Sequence, residues 1–278
     1  MIRRDVTGGF VLIGQHNHSL LAGELARRVG NGLFAMPSPF EPVVLAIAEH
    51  DRGWVQADHR PGLNAQGQPA HVFEGDVQTA LGAWESSVNM VLAQDKYAGL
   101  LVSLHTMALA NIVAARESEA TDDVARQKAF RIRRFVHRQI EVQEELRKDL
   151  AMRIDLPLRG GLAEEGRAPD EDLLRANFFL LEFLDQLSLN LCFDRLVFQR
   201  FEMLYPRPGE GAMSARFHRD ARGIFRIDPW PFNCERMELE IPARKIAAGT
   251  YTSADALHEA CDRAEPRFIR VVLQPIGS

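Results

Sequence analysis

The sequence predicts a mainly α protein, with a helical body, a short N-terminal strand and a small β-containing tail. Three observations carry that reading. Apolar residues recur at helical spacing through most of the first 205 positions. The early exception is the run FVLIG at 10–14, which follows a Gly-Gly turn and reads as a strand. After Tyr205-Pro206-Arg207-Pro208 the pattern changes to short alternating segments at 224–227, 237–241 and 268–273, which predict strands. The expected division is a helical domain over 1–205 and an α+β appendage over 206–278.

The elements follow in order. Leu21, Leu25 and Val29 repeat every four residues beside Ala22 and Ala26, predicting a helix over 18–29 that Gly30-Asn31-Gly32 ends. Ser38-Pro39-Phe40-Glu41 has capping-box spacing with Pro in the first turn, and opens a second helix. Its stretch 43–48 is apolar on every side, which predicts a central position, and Glu49-His50-Asp51-Arg52-Gly53-Trp54 closes it. Residues 57–76, rich in Gly, Pro, Asn and Gln, read as a long loop of the kind that walls a pocket.

Helices are expected again over 77–93, with Leu81, Trp84, Val88 and Leu92 on one face, and over 97–116. A charge-rich amphipathic helix over 120–152 should pack along one side only. A Gly/Glu-rich break at 159–169 separates it from an apolar helix over 170–204. In the tail, Thr252 and Asp255 have the spacing to cap a brief helix ending near Arg263.

Composition narrows the function classes. Of 278 residues, 46% are hydrophobic and 26% charged, enough for a substantial core. A net charge of −5 without a dense basic run argues against a nucleic-acid partner. Cys192, Cys234 and Cys261 show no CxxC pairing, so neither a disulfide framework nor a thiolate zinc site is indicated. With no signal-peptide stretch and no membrane span expected, the reading is a cytoplasmic protein with no membrane partner. There is no Gly-rich phosphate loop, dinucleotide fingerprint or nucleophile-elbow Ser. The expected partner is a small-molecule substrate, with a homodimer left open.

Chemistry enters at four places where a metal-ligating residue type falls in an apolar helical setting. They are His18 opening one helix, His50-Asp51 ending another, and His105 and Asp185 in mid-helix. Taken singly, His105 reads as a satisfied core histidine and Asp185 as an anchor for a loop or cap. Together they read differently, because buried ionisable groups are costly and one shared cation would satisfy them all. Imidazole and carboxylate donors suit Zn²⁺, Fe²⁺, Mn²⁺ or Ni²⁺. His16 competes with His18 for the first position, and Gln15, His16, Glu49, Arg52, Trp54, Asp58, His59 and His71 are the candidates to line a substrate pocket. His137 sits among arginines and reads as surface, while His218 and His258 look incidental.

The order of these fragments resembles the HD-domain metallohydrolase superfamily. The matching pieces are HSLLAGELA with His18, LAIAEHDRG with His50 and Asp51, and FLDQLS with Asp185. His105, in LLVSLHTMA, stands where many of those proteins carry an additional ligand. More closely, the chain resembles DUF3891, through IGQHNHSLLAGELA, AEHDRGW, DKYAGLLVSLH, FLDQLSLNLCF and DPWPF over most of its length.

The superfamily resemblance implies an HD-like helical bundle core and a divalent ion held by His18, His50, Asp51 and Asp185, with His105 completing the site. It implies hydrolysis of a small, phosphorylated substrate by a metal-bound water, with Asp51 and His105 in catalytic roles. Its alternatives are a paired-iron oxygenase and a non-catalytic binding or interaction protein. The separation of Asp51 from Asp185 is longer than that pattern usually shows, because of the 57–76 loop and the 120–168 excursion.

Overall fold

The computed structural model describes residues 1–117, 123–150, 169–193 and 195–277. Most helices lie close to the predicted stretches, but Val55–His59 overlaps the expected loop at 57–76 and the last long helix ends at Cys192, short of 204. The helices are α1 (Gln15–Ala26), α2 (Phe40–Glu49), α3 (Val55–His59), α4 (Val77–Leu92), α5 (Lys96–Glu117), α6 (Asp123–Asp149), α7 (Pro169–Cys192) and α8 (Ala254–Arg263). The start of the predicted helix at 120–122 and the break at 159–168 lie outside the described residues.

The expected fold class is overturned. About 51% of the chain is helical, and the remaining framework is a seven-stranded mixed sheet curled into a half-barrel, not a small appendage on an HD-like bundle. The strands are β1 (Ile2–Val6), β2 (Gly9–Ile13), β3 (Arg200–Leu204), β4 (Met213–Arg219), β5 (Phe225–Asp228), β6 (Met237–Ala247) and β7 (Pro266–Pro275). They lie in the order β1-β2-β6-β7-β5-β4-β3, so the sheet takes strands from both sides of position 205. Phe10 pairs with Ile246 and Leu12 with Arg244, which builds the N-terminal hairpin into the same sheet as the tail. β6 alternates buried and exposed residues along most of its length, the signature of a strand with one face on a core.

That core is shared between the layers. Leu25, Ile47, Leu101 and Leu184 from the helices join Phe217, Ile227 and Leu273 from the strands in one apolar cluster. Phe183 of α7 stacks on Phe217 of β4 with ring centroids 5.7 Å apart. A second cluster gathers Trp54, Leu81, Trp84, Ile132 and Phe135 between α4, α5 and α6. By length and composition Lys96–Ala115 of α5 could cross a membrane, contrary to the sequence reading, yet half of that stretch is buried against neighbouring elements.

Two arrangements position the site. α1 and α2 approach so closely that a Cβ on Gly23 would lie 2.5 Å from the Ala48 Cβ, so the helix pair needs glycine there. α7 runs along both helices and brings its middle turns to the end of α2.

Candidate metal centre

α1 starts at Gln15, three residues before the predicted start. Its first residue follows Gly14, which has no side chain to cap the helix. The carboxylate of Asp58, from α3, does that work instead by accepting the His16 N–H at 3.2 Å. A Cβ on Gly14 would lie 2.9 Å from the same Asp58 oxygen, so glycine permits the approach. The early start places His18 within the first turns, on the buried face with Ser19, Leu21 and Leu25.

α2 ends at the other side of the site. The His50 Nδ1–H donates to the Ile47 carbonyl at 2.8 Å, and Asp51 leaves the helix with φ −110° and ψ 19°. The Gly53 N–H then donates to Ser87 Oγ at 2.9 Å, and a side chain on Gly53 would collide with the Ala83 carbonyl. This tight exit against α4 turns His50 and Asp51 inward together.

Four residues meet there, His18 from α1, Asp185 from α7, and His50 and Asp51 from the turn that ends α2. Asp185 Oδ1 lies 3.0 Å from His18 Nε2 and 3.4 Å from His50 Nε2. Asp51 Oδ2 lies 3.6 Å and 3.9 Å from the same two nitrogens. One ligand atom from each of His18, His50 and Asp185 falls within 4.8 Å of the other two. All are buried, with His50 at 0% exposure and Asp185 at 8%.

Tautomer chemistry makes the cluster informative. A carbonyl can only accept, so His50 carries its hydrogen on Nδ1 and, when neutral, presents a bare lone pair at Nε2. That atom is buried without a hydrogen-bond partner and faces a carboxylate oxygen, as does the cluster's other imidazole, whose Nδ1 is also unpartnered. Two lone pairs in contact repel unless a cation, proton or metal, lies between them. Burial alone would lower the His50 pKa, but the carboxylates of Asp51 and Asp185 reverse that and raise it to about 9. Burial works to raise the Asp185 pKa, and its contacts with His18 and His50 push it well below the usual carboxylate range instead. The group could hold a metal ion.

The other predicted residues sort by place. His105 is buried with its ring edge-on to His50, centroids 4.9 Å apart, and its Nδ1–H donates to Glu182 Oε1 at 2.6 Å. Burial lowers its pKa, and the Glu182 carboxylate more than offsets that. His16 is half-buried with Nε2 3.9 Å from Glu49 Oε2; burial keeps its pKa below the usual value despite that carboxylate. Arg52 is exposed and donates to Glu49 at 3.3 Å. Trp54 packs in the second apolar cluster beside Leu81 and Trp84. Asp58 braces the start of α1 and forms an ion pair with the Met1 amine at 3.2 Å, while Arg244 of β6 donates to its backbone carbonyl.

One residue near the cluster, Glu182, was not among the predicted site residues. Glu182 shares the apolar helix of Asp185 one turn away. Gln15 donates through Nε2 to Asp51 Oδ2 at 3.4 Å, and its Oε1 is buried without a partner.

The family described as "Protein of unknown function (DUF3891)" matches residues 1–248, and the chain belongs to it. No curated protein and no solved structure matches the chain.

Proposed function

We propose that this DUF3891 chain is a hydrolase working with one divalent cation held by His18, His50, Asp51 and Asp185. A single observation carries the reading: one donor atom from each of His18, His50 and Asp185, all three buried, lies within 4.8 Å of the other two, close enough to share an ion. Two imidazoles and two carboxylates without a thiolate suit Mn²⁺, Fe²⁺, Zn²⁺ or Ni²⁺. When bound, such an ion lowers the pKa of a coordinated water and polarises a phosphoryl or carbonyl oxygen.

The chain's own groups supply the rest. The Gln15 amide keeps the Asp51 carboxylate turned toward His18, where Asp51 Oδ2 can take a proton from an attacking water. His50 cannot act as that base, since Nδ1 is held by the Ile47 carbonyl and Nε2 belongs to the ion. His16 and Glu49, half-buried at the rim, are the groups available to a bound substrate. The order of a His, a His-Asp pair and a later Asp is similar to the ligand set of HD-domain metallohydrolases, and supports a small phosphorylated substrate.

The test is metal analysis of the purified protein, then assay with p-nitrophenyl phosphate and bis-p-nitrophenyl phosphate under added Mn²⁺, Fe²⁺, Zn²⁺ or Ni²⁺. About one ion per chain and ion-dependent release of nitrophenol are expected. A wild-type protein that holds none of these ions would end the proposal. A paired-iron oxygenase is the second reading, favoured by the His105–Glu182 pair that extends the donors beyond His50. Two irons per chain with dioxygen consumption would select it.

A further inference from the structure

Glu182 sits one turn before Asp185 on α7, and the cluster just described does not use it. Its partner is His105, on α5. The Nδ1–Oε1 separation is 2.6 Å, and the two side chains are 1% and 15% exposed. A carboxylate accepts, so the hydrogen sits on Nδ1 and the lone pair of the neutral ring is on Nε2. The same ring meets His50 edge-on, so it stands beside a proposed ligand with one nitrogen already spent. At metal centres a carboxylate behind an imidazole fixes its tautomer and angle and makes its free nitrogen a better donor.

We infer that Glu182 is a positioning residue of the ion site, holding His105 so that its Nε2 is the nitrogen offered to the cation. The inference rests on the ion-binding reading above and deepens it. A purely structural pairing would merely satisfy a buried histidine. It would then leave the ion's affinity and geometry unchanged when altered.

The experiment titrates wild-type protein, E182Q and E182A with Mn²⁺, and records the visible spectrum of each with Co²⁺ bound. In E182A, Mn²⁺ affinity should fall by about 10–100-fold and the Co²⁺ bands should shift. E182Q keeps an accepting oxygen and should recover most of the affinity, with a smaller spectral change. Should E182A fail to fold, a weakened affinity and shifted Co²⁺ bands in E182Q are still expected. Unchanged affinity and spectra in the variants, with wild type binding normally, would overturn the role of Glu182 and leave the ion site standing. A wild type that binds neither ion would remove both. A fall from two ions to one in E182A would make Glu182 a ligand itself, and would overturn the positioning role.

Discussion

Between α5 and α6 the protein buries a polar cluster that closes on itself, whereas the one where α1, α2 and α7 meet does not. In the first, Ser103 Oγ donates to Gln139 Oε1 at 2.8 Å and accepts from Gln143 Nε2 at 3.0 Å. The hydroxyl of Thr106 donates to the Ser103 carbonyl at 3.2 Å. None of these residues has a buried side-chain atom without a partner. In the second, His18 Nδ1, His50 Nε2 and Gln15 Oε1 are buried and unpartnered around two carboxylates. Both clusters are equally hidden from water, so burial does not separate them. Unfinished bonding does. A cluster that serves only packing has every reason to complete its hydrogen bonds, because each unsatisfied buried group costs about 1–3 kcal/mol. A cluster that must accept a ligand keeps its lone pairs for it.

The contrast can be broken most sharply at Asp185. Mn²⁺ at about a hundred times its dissociation constant should stabilise the wild type by about 2.7 kcal/mol, a rise of roughly 5–10 °C in Tm. Asp185→Ala should abolish that rise in a thermal melt, and a surviving shift would mean the open cluster is no ion site. Next in size is Ser103→Ala, which strands Gln139 and Gln143 and should cost about 1–3 kcal/mol in denaturant unfolding. Its Mn²⁺ response should be intact; a response lost along with stability would show that the clusters are one unit.

The smallest effect is on pH. With its pKa raised to about 9, His50 holds a proton at neutral pH in the ion-free fold. That proton's stabilising contribution is complete below 6.5 and disappears as pH climbs through about 9. An incoming ion must displace it, so Mn²⁺ affinity should rise up to about tenfold per pH unit between about 7 and 9. Calorimetric titration at several pH values checks this, and a flat profile would argue against His50 as a ligand.

How legible these features were depended on the kind of signal. The helix faces were readable because apolar spacing reports burial directly, as with Leu81, Trp84 and Val88 in α4. The sheet was not. β1 reads IRRDV and lies at an edge, where charged residues are tolerated, so no alternation marks it. The predicted helix over 170–204 stops at Cys192 because the Asn190 side chain folds the chain back, accepting from Val197 and Phe198 N–H groups at 2.9 Å and donating to the Phe198 carbonyl at 2.8 Å. The apolar run beyond it becomes a turn and β3, a distinction that periodicity over so few residues cannot make. Pro242 hid the second half of β6. At the site, metal-ligating residue types in apolar helical settings marked His18, His50, Asp51 and Asp185 as candidates, whereas the bond from His105 to Glu182 joins α5 to α7 and leaves no local trace.

The pairing of β2 with β6 has a consequence in time. During synthesis the N-terminal hairpin and the helix carrying His18 emerge early, yet their neighbouring strand arrives more than two hundred residues later. Until then β2 has an open hydrogen-bonding edge and Arg244 cannot reach the Asp58 segment that holds the start of α1. Contacts this distant in sequence close slowly. A nascent chain would therefore carry His18, His50, Asp51 and Asp185 well before it could hold them in register, and the ion binding proposed above would belong to the last stage of folding.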